Sequence, residues 1–488
     1  MKKSLFSLSI LRALRIAAIV SLFGIGGCGE SNQAWLSTDR LIHDVTVIDV
    51  VAGEARPDQT IVIREGRIHA VLDVEDVQIL DVDQVLQSGG YVIPGLWDMH
   101  VHALSDPDDA INRSLPLFVA NGVTGVRDMG SVVPGVIETR TRLENDPSLP
   151  APELFVAGPL LDGVKLPWYG DLPLVLEDAA DVERELPRLQ EQGIDFFKVY
   201  DQLSRPAYDA VLAYGAENGV LVAGHAPESV GVLDAASAGQ STIEHLSLFS
   251  LRECVAEPRA WFDRAINAKF RGEYVDYYRT ITAFFEAIDQ ERCDEAYRAM
   301  AEAGTYFTPT LVMEFNDRAR VDEGALEYLG LGARSWCSQG LVKSDGADPA
   351  ARDDAYAAMH AQFERMRDAG VTFLAGSDTQ NNCLVPGFSL HWELEQLVDA
   401  GLQPVEAIRA ATSDAAMAIG RGSDSGRIEA GYSADIVVLG ANPLQQIRNT
   451  RDILGVMQDG RWYDADALNT LRSDAAAAIR RTSDSPTE

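Results

Sequence analysis

Apolar residues in this chain fall into two textures. Near both ends the runs are short, β-branched and broken by glycine turns. "IHDVTVIDV", "TIVIREGRIHAVLDV" and "VLQSGGYVIPG" lie near the start, and "GRIEAGYSADIVVLG" and "GVMQDGRWYD" near the end. These patterns predict strands. Between them, eight strand-like runs ("VIPGLWDMHVH", "GVTGVRDM", "ELFVAG", "DFFKVY", "VLVAGHA", "STIEHL", "TYFTPTL" and "TFLAGSD") alternate with helical patterns such as "VERELPRLQEQG" and "AYDAVLAYGAENG". Several of those helical stretches close on a glycine, the usual C-cap. Eight strands alternating with helices predict an α/β chain with a (β/α)8 TIM barrel over 93–421. The flanks, 41–92 and 422–466, predict a discontinuous β-sandwich domain drawn from both chain ends. The stretch from about 255 to 300 carries no proline after Pro258 and predicts a helical insertion after the sixth strand. Residues 467–488, ending in "RRTSDSPTE", read as a disordered tail.

The first residues change the picture of where the protein works. Lys2, Lys3, Arg12 and Arg15 precede "IAAIVSLFGIGG", an apolar stretch too short to span a bilayer comfortably. Together they predict a secretory signal over residues 1–27. "IGGC" resembles a bacterial lipobox, which would make Cys28 the first mature residue and its site of lipidation, with 28–40 as a tether. The expectation is an exported enzyme, lipid-anchored to the cell envelope at the outer membrane facing the periplasm. Such a compartment is oxidising. Cys254, Cys293, Cys337 and Cys383 are compatible with two disulfides, and Cys254 with Cys293 would close the insertion. With 46% hydrophobic and 24% charged residues the composition is that of a globular protein. The formal charge of −33 argues against a nucleic-acid partner, since phosphate binding needs a basic patch. Nothing in the sequence sets the oligomeric state.

Candidate chemistry begins at "GLWDMHVHA". His100 and His102 are spaced i, i+2, so on a strand they point to one face and can reach one metal ion. Lys198 lies near the end of the fourth predicted strand, His225 and His245 end the fifth and sixth, and Asp378 ends the eighth. In a (β/α)8 barrel those ends form the rim where chemistry is done. Each residue also has a plainer reading, as a polar strand cap, a salt-bridged lysine or a helix-capping aspartate. His43 and His69 fall in the flanking β region and His360 in mid-helix.

"PGLWDMHVH", "FFKVY", "AGHA", "TIEHL" and "AGSD", in that order, resemble the amidohydrolase superfamily of metal-dependent hydrolases. More narrowly they resemble its branch related to imidazolonepropionase, prolidase-type dipeptidases and ochratoxinase-like enzymes. The resemblance covers roughly residues 41 to 465. It implies two divalent metal ions, zinc being the expected one. His100, His102 and Asp378 would hold the first, and His225 and His245 the second. Lys198 would bridge them as a carbamate formed with CO2, a departure from imidazolonepropionase, which lacks that lysine. The implied activity is hydrolysis of a C–N amide bond of a small molecule, such as an N-acyl amino acid or a dipeptide, by a metal-activated hydroxide. Asp378 would shuttle the proton, and Tyr200 is the candidate donor to the oxyanion. Trp168 and Tyr169 are candidates to wall the substrate pocket, Arg127 to meet a substrate carboxylate, and His391 either to contact substrate or to begin the next helix. The rival readings are an Xaa-Pro-type dipeptidase, a lactonase or esterase on the same centre, and a catalytically inactive binding lipoprotein.

Overall fold

Strands β1 (Arg40–Asp49), β2 (Glu54–Arg64), β3 (Arg67–Asp73), β4 (Val85–Ser88) and β5 (Tyr91–Pro94) come from the first apolar texture. The computed structural model describes residues 38–165, 170–314, 324–330, 332–335, 337–338, 348–381 and 383–483. The predicted signal, Cys28 and all but the end of the tether lie outside the described residues. The central texture supplies β6 (Leu96–Val101), β7 (Val123–Asp128), β8 (Glu153–Val156), β9 (Leu160–Asp162), β10 (Pro173–Val175), β11 (Phe196–Val199), β12 (Leu221–Gly224), β13 (Thr242–Glu244) and β14 (Tyr306–Thr308). The C-terminal flank adds β15 (Ile436–Leu439), β16 (Ile453–Gln458) and β17 (Arg461–Asp464).

The two flanks join in one eight-stranded sheet of order β17-β16-β15-β5-β1-β2-β3, with β4 also paired to β1. A sandwich needs two sheets, so the expectation of a β-sandwich is corrected here: a single sheet rolls over its own core. Its far edge meets residues just before β15, where the Ile68 amide donates to Tyr432 and the Ala434 amide to Gly66, both at 2.9 Å. Val45, Val47, Ile61, Ile63, Val92, Ile436 and Val438 fill the curve. Register shifts between Ile42 and Val45 and between Val45 and Val47 of β1 supply the bend, since bulges sharpen local twist.

The central strands are parallel, in a three-stranded sheet β6-β7-β8 and a six-stranded sheet β10-β9-β11-β12-β13-β14. Every residue of β6, β7 and β11 is buried, as expected when helices cover a parallel sheet. Helices Ala179–Glu191 and Arg205–Asn218 are two of these crossovers. The two sheets meet at two places. The Asp195 amide, just before β11, donates to Val156 of β8 at 2.9 Å. On the other side, residues 372–379 run between β14 and β6 with only isolated bridges, Phe373 to Phe307 and Thr379 to Val101. The eighth predicted strand is therefore extended and bonded on both sides without a regular ladder. Gly376 permits this approach, because a Cβ there would lie 2.6 Å from Thr308 Cγ2 and 2.8 Å from His100 Cβ.

Helices Pro258–Arg271, Tyr274–Glu286 and Gln290–Ala303 stand between β13 and β14, in the stretch read as an insertion. Cys254 and Cys293 form a disulfide across it. A second disulfide, Cys337–Cys383, joins the connection after β14 to the turn after Asp378. The expected disordered tail is corrected: helix Ala465–Ser483 occupies it. Leu468, Ala475, Ala476 and Ile479 are buried, a spacing that puts them on one helical face. Arg472 donates to the Ala120 carbonyl and anchors that face. Among the described residues no helix is long and apolar enough to cross a membrane.

Candidate metal centre

Parallel strands place their C-terminal ends on one rim, and five of the six candidate ligands lie at or just past such ends. His100 and His102 sit at the end of β6, Lys198 within the last turn of β11, His225 after β12 and His245 after β13. Asp378 comes from the irregular segment 372–379 and hydrogen-bonds its amide to the His100 carbonyl at 2.7 Å. His102 Nε2 lies 3.3 Å and His100 Nε2 3.6 Å from Asp378 Oδ1. Lys198 Nζ lies 3.4 Å from His100 Nε2. The His245 ring centroid is 4.7 Å from that of His100 and 4.9 Å from that of His225. Ligating atoms of His100, His245 and Asp378 all lie within 4.8 Å of one another.

Behind the rings, the other nitrogens are engaged. His100 Nδ1 donates to Glu244 Oε2 at 2.9 Å. Glu244 in turn accepts from Arg127 Nη2 at 2.9 and 3.0 Å and from the Thr242 hydroxyl. His102 Nδ1 donates to the Gly130 carbonyl at 2.8 Å. His245 Nδ1 lies 2.8 Å from the Thr310 hydroxyl oxygen. His225 Nδ1 is 3.2 Å from Asp201, close enough for an ion pair but without the alignment of a hydrogen bond. Fixing Nδ1 selects the tautomer and leaves Nε2 free to ligate, the arrangement found behind metal-binding histidines. His245 and Asp378 hold left-handed backbone, φ 67° and 58°. Such residues cost of order 1–3 kcal/mol each and persist where the surroundings over-determine them.

For three of the four histidines the electrostatics suit neutral ligands; His102 differs, since Asp378 raises it against the pull of burial. Burial, reinforced by the Lys198 charge on His100, holds the His100 and His245 imidazoles well below the usual histidine range. Burial also lowers His225, against the pull of Asp201. Neutral imidazoles have a lone pair to give. Burial alone would raise Asp378, but the His102 hydrogen bond and the charges of His245, His102 and Lys198 leave it below the ordinary carboxylate range. Burial pulls Lys198 down to about 8, with Glu244 and Asp378 opposing. Four imidazoles, a carboxylate and an amine poised between protonation states are a donor set that fits divalent cations of the zinc type.

The cavity over these residues has a volume of about 450 Å³. His102, Lys198, Tyr200, His225, His245 and Asp378 line it, together with Leu160, Leu172, Phe249, Met313, Glu314 and Asn381. The Tyr200 ring stacks near His225 at 4.3 Å and lies 5.8 Å from Lys198 Nζ. Trp168 and Tyr169 lie outside the described residues. Arg127 is corrected: it is buried, its guanidinium bonds Glu244, Thr242, Thr308 and the Met99 carbonyl, and it does not line the cavity. His391 takes the second of its two readings, as a residue of the next helix. It sits inside helix Phe388–Asp399, with Nε2 2.9 Å from the Asn121 carbonyl oxygen and Nδ1 3.0 Å from the Thr450 hydroxyl. Glu244, Thr310, Asp201, Asn381 and Glu314 were missed by sequence reasoning. Glu244 had a signal in "TIEHL", one residue before a ligand; the others had none. Asp98 is a further one. Burial pushes it up to about 7 against two hydrogen bonds from Ser377, and those bonds pin the Asp378 segment to β6.

Comparison with known proteins bears on the fold and the family. Ochratoxinase from Aspergillus niger is 23% identical over 445 residues, covering 79% of this chain and 78% of that protein. The solved structure of bottromycin amidohydrolase superposes with a TM-score of 0.69 at 22% identity, covering 90% of each chain. That of an Xaa-Pro dipeptidase with bound methionine in its active site superposes with a TM-score of 0.62 at 21% identity, covering 88% of this chain and 100% of that one. These likenesses establish a TIM-barrel-type α/β fold. The Amidohydrolase family profile matches residues 91–463, most of the chain and all six candidate ligands, and the chain belongs to that family.

Proposed function

We propose that this protein is a metal-dependent hydrolase that cleaves the C–N bond of a small amide, an N-acyl amino acid or a dipeptide. The observation that carries the reading is the convergence of His102, Lys198, His225, His245 and Asp378 on one cavity, with His100 buried against Lys198 and Asp378 and a protein group behind Nδ1 of each histidine. On this reading β6, β7, β8, β11–β14 and the segment 372–379 act as one eight-membered barrel whose rim carries the site. His100, His102 and Asp378 would hold one divalent cation, zinc by preference, and His225 and His245 the other. Bound there, the ions supply Lewis-acid polarisation of a carbonyl and a water of lowered pKa.

The remaining steps belong to the chain. An unprotonated Lys198 amine attacks CO2, forming an N–C bond and releasing one proton to solvent, and the anionic carbamate offers two oxygens where an ammonium offers none. Burial of Lys198 favours the free amine that this needs. Asp378 takes the proton of the attacking water and returns it to the leaving nitrogen, as base and then acid. Asn381 Nδ2, donating to Asp378 Oδ1 at 2.7 Å, holds the carboxylate in place. The Tyr200 hydroxyl donates to the substrate oxygen as negative charge develops.

Elemental analysis of purified wild type and Lys198→Ala tests this reading, alongside turnover of an amide panel. The expected result is about two metals per chain in the wild type, a loss in the variant and partial recovery with a small carboxylic acid. One metal or none, unchanged by the substitution, overturns the bridged centre. We further infer export and lipid anchoring through Cys28. The two disulfides support an oxidising compartment. Metabolic labelling with palmitate that survives Cys28→Ser contradicts the anchor.

A further inference from the structure

The cavity wall carries one charge that the chemistry above does not use. Glu314 ends the short helix Leu311–Glu314 that follows β14 and faces the same cavity as Lys198 and Asp378. Its Oε2 lies 3.4 Å from the hydroxyl of Tyr277, which comes from insertion helix Tyr274–Glu286. Burial holds the Tyr277 phenol well above its ordinary range, so it stays a donor. Lys269 attracts Glu314 from the exposed side of the insertion but forms no ion pair with it among the described residues. Asp378 repels it. Among the described lining residues the only cationic side chain is Lys198, which the metal centre employs, and Arg127 is committed to Glu244 below the rim. Leu160, Leu172, Phe249 and Met313 supply apolar wall to the same cavity.

A carboxylate in an apolar-walled cavity is costly until a cation meets it. Burial pushes Glu314 above its usual range, with Lys269 and Tyr277 opposing and Asp378 adding to it. An anionic substrate group at this wall would meet repulsion; an ammonium would be desolvated against a partner of opposite sign.

We propose that Glu314 is a specificity-determining residue that pairs with a protonated amine of the substrate, so that the cavity takes aminoacyl amides with a free amino group, dipeptides among them, in preference to N-acylated amino acids. The inference rests on the amide-hydrolase reading of the same cavity. It adds a role for the insertion, whose Tyr277 orients Glu314 from behind.

Two measurements on the metal-loaded, full-length protein test it. The first compares kcat/KM for a dipeptide panel with free amino termini against the same peptides N-acetylated, in wild type and Glu314→Gln. The free-amine series is favoured roughly tenfold or more in the wild type, and the ratio falls towards one in the variant. Preference for the acetylated series, or a ratio untouched by Glu314→Gln, overturns the assignment while leaving amide hydrolysis standing. The second uses calorimetry with benzylamine and benzyl alcohol, which share a shape and differ in charge. Benzylamine binds about tenfold tighter in the wild type, and the advantage is lost in Glu314→Gln and in Glu314→Ala, a second variant that guards against misfolding of the first. Equal binding of the two probes overturns the subsite. Should no amide be turned over, the hydrolase reading fails, and the benzylamine ratio still decides the role of Glu314.

Discussion

His100 and His225 both belong to the candidate centre, yet the groups behind their Nδ1 atoms differ. Behind His100 stands Glu244 with Arg127, at 0% and 2% side-chain exposure, in direct hydrogen bonds throughout. Behind His225 stands Asp201 with Arg252, at 15% and 12% exposure, and the His225 contact lacks hydrogen-bond alignment. Low dielectric strengthens the first pair and makes its disruption costly. The second pair is partly exposed, so solvent screens it more than the first. On the proposed reading, the His100 half of the centre is held by the buried interior and the His225 half has more room to adjust.

The largest effect belongs to the residue that the proposed reading makes both a ligand of the first ion and the proton carrier. On that reading Asp378→Asn removes the proton acceptor and one ligand, and kcat falls on the order of a thousandfold; activity within tenfold of wild type removes Asp378 from the chemistry. Glu244→Gln breaks the buried pair and leaves the Arg127 charge uncompensated. Denaturant unfolding of the metal-free protein is expected to show a loss of about 3–5 kcal/mol, and metal affinity is expected to fall roughly 10–100-fold. Asp201→Asn acts at the screened pair, so its effect on affinity is expected to stay below about tenfold. Competition with a chelator measures both, and equal losses in the two variants would erase the distinction between the halves.

The smallest effect tests a group outside both. Glu393 is buried in helix Phe388–Asp399 beneath the segment that carries Glu314, and it accepts the Val312 amide at 2.7 Å. Burial pushes it up to about 8. Its folded pKa lies above its unfolded one, so the proton-bound state favours folding. That contribution is complete below the ordinary glutamate range and is lost as pH rises towards about 8. Glu393→Gln should flatten this slope in urea unfolding at pH 5 and pH 8, with no change in metal affinity. An unchanged slope would show that the carboxyl is ionised in the folded protein.

Much of the site was readable because each ligand ends a strand-like run in which polar residues are otherwise rare. His100, His102, His225 and His245 stand out against valine, alanine and isoleucine, and parallel pairing then brings their strand ends together. Arg127 was misread because its partner is 117 positions away, and a strand-end arginine looks the same whether it faces a cavity or an interior carboxylate. His391 was undecided for a similar reason, since both its partners come from distant loops. Strands β9 and β10 have three residues each, too few for periodicity to register. The rolled sheet was read as a sandwich because alternation reports which residues face a core but not whether one sheet or two surround it. The terminal helix was legible in the spacing of Leu468, Ala475 and Ile479, but the polar "RRTSDSPTE" drew attention away from it.

The disulfide between Cys337 and Cys383 bears on which ions the protein collects. Cys383 follows Asp378 by five positions. Both sulfurs lie in a buried apolar cluster with Leu384, Val385 and Trp392. As a thiolate Cys383 would be a softer donor than imidazole or carboxylate, and zinc and copper(I) favour such donors. Locked to Cys337 it has no thiolate to offer. Oxidation therefore removes two thiols from competition with the candidate centre for an arriving ion.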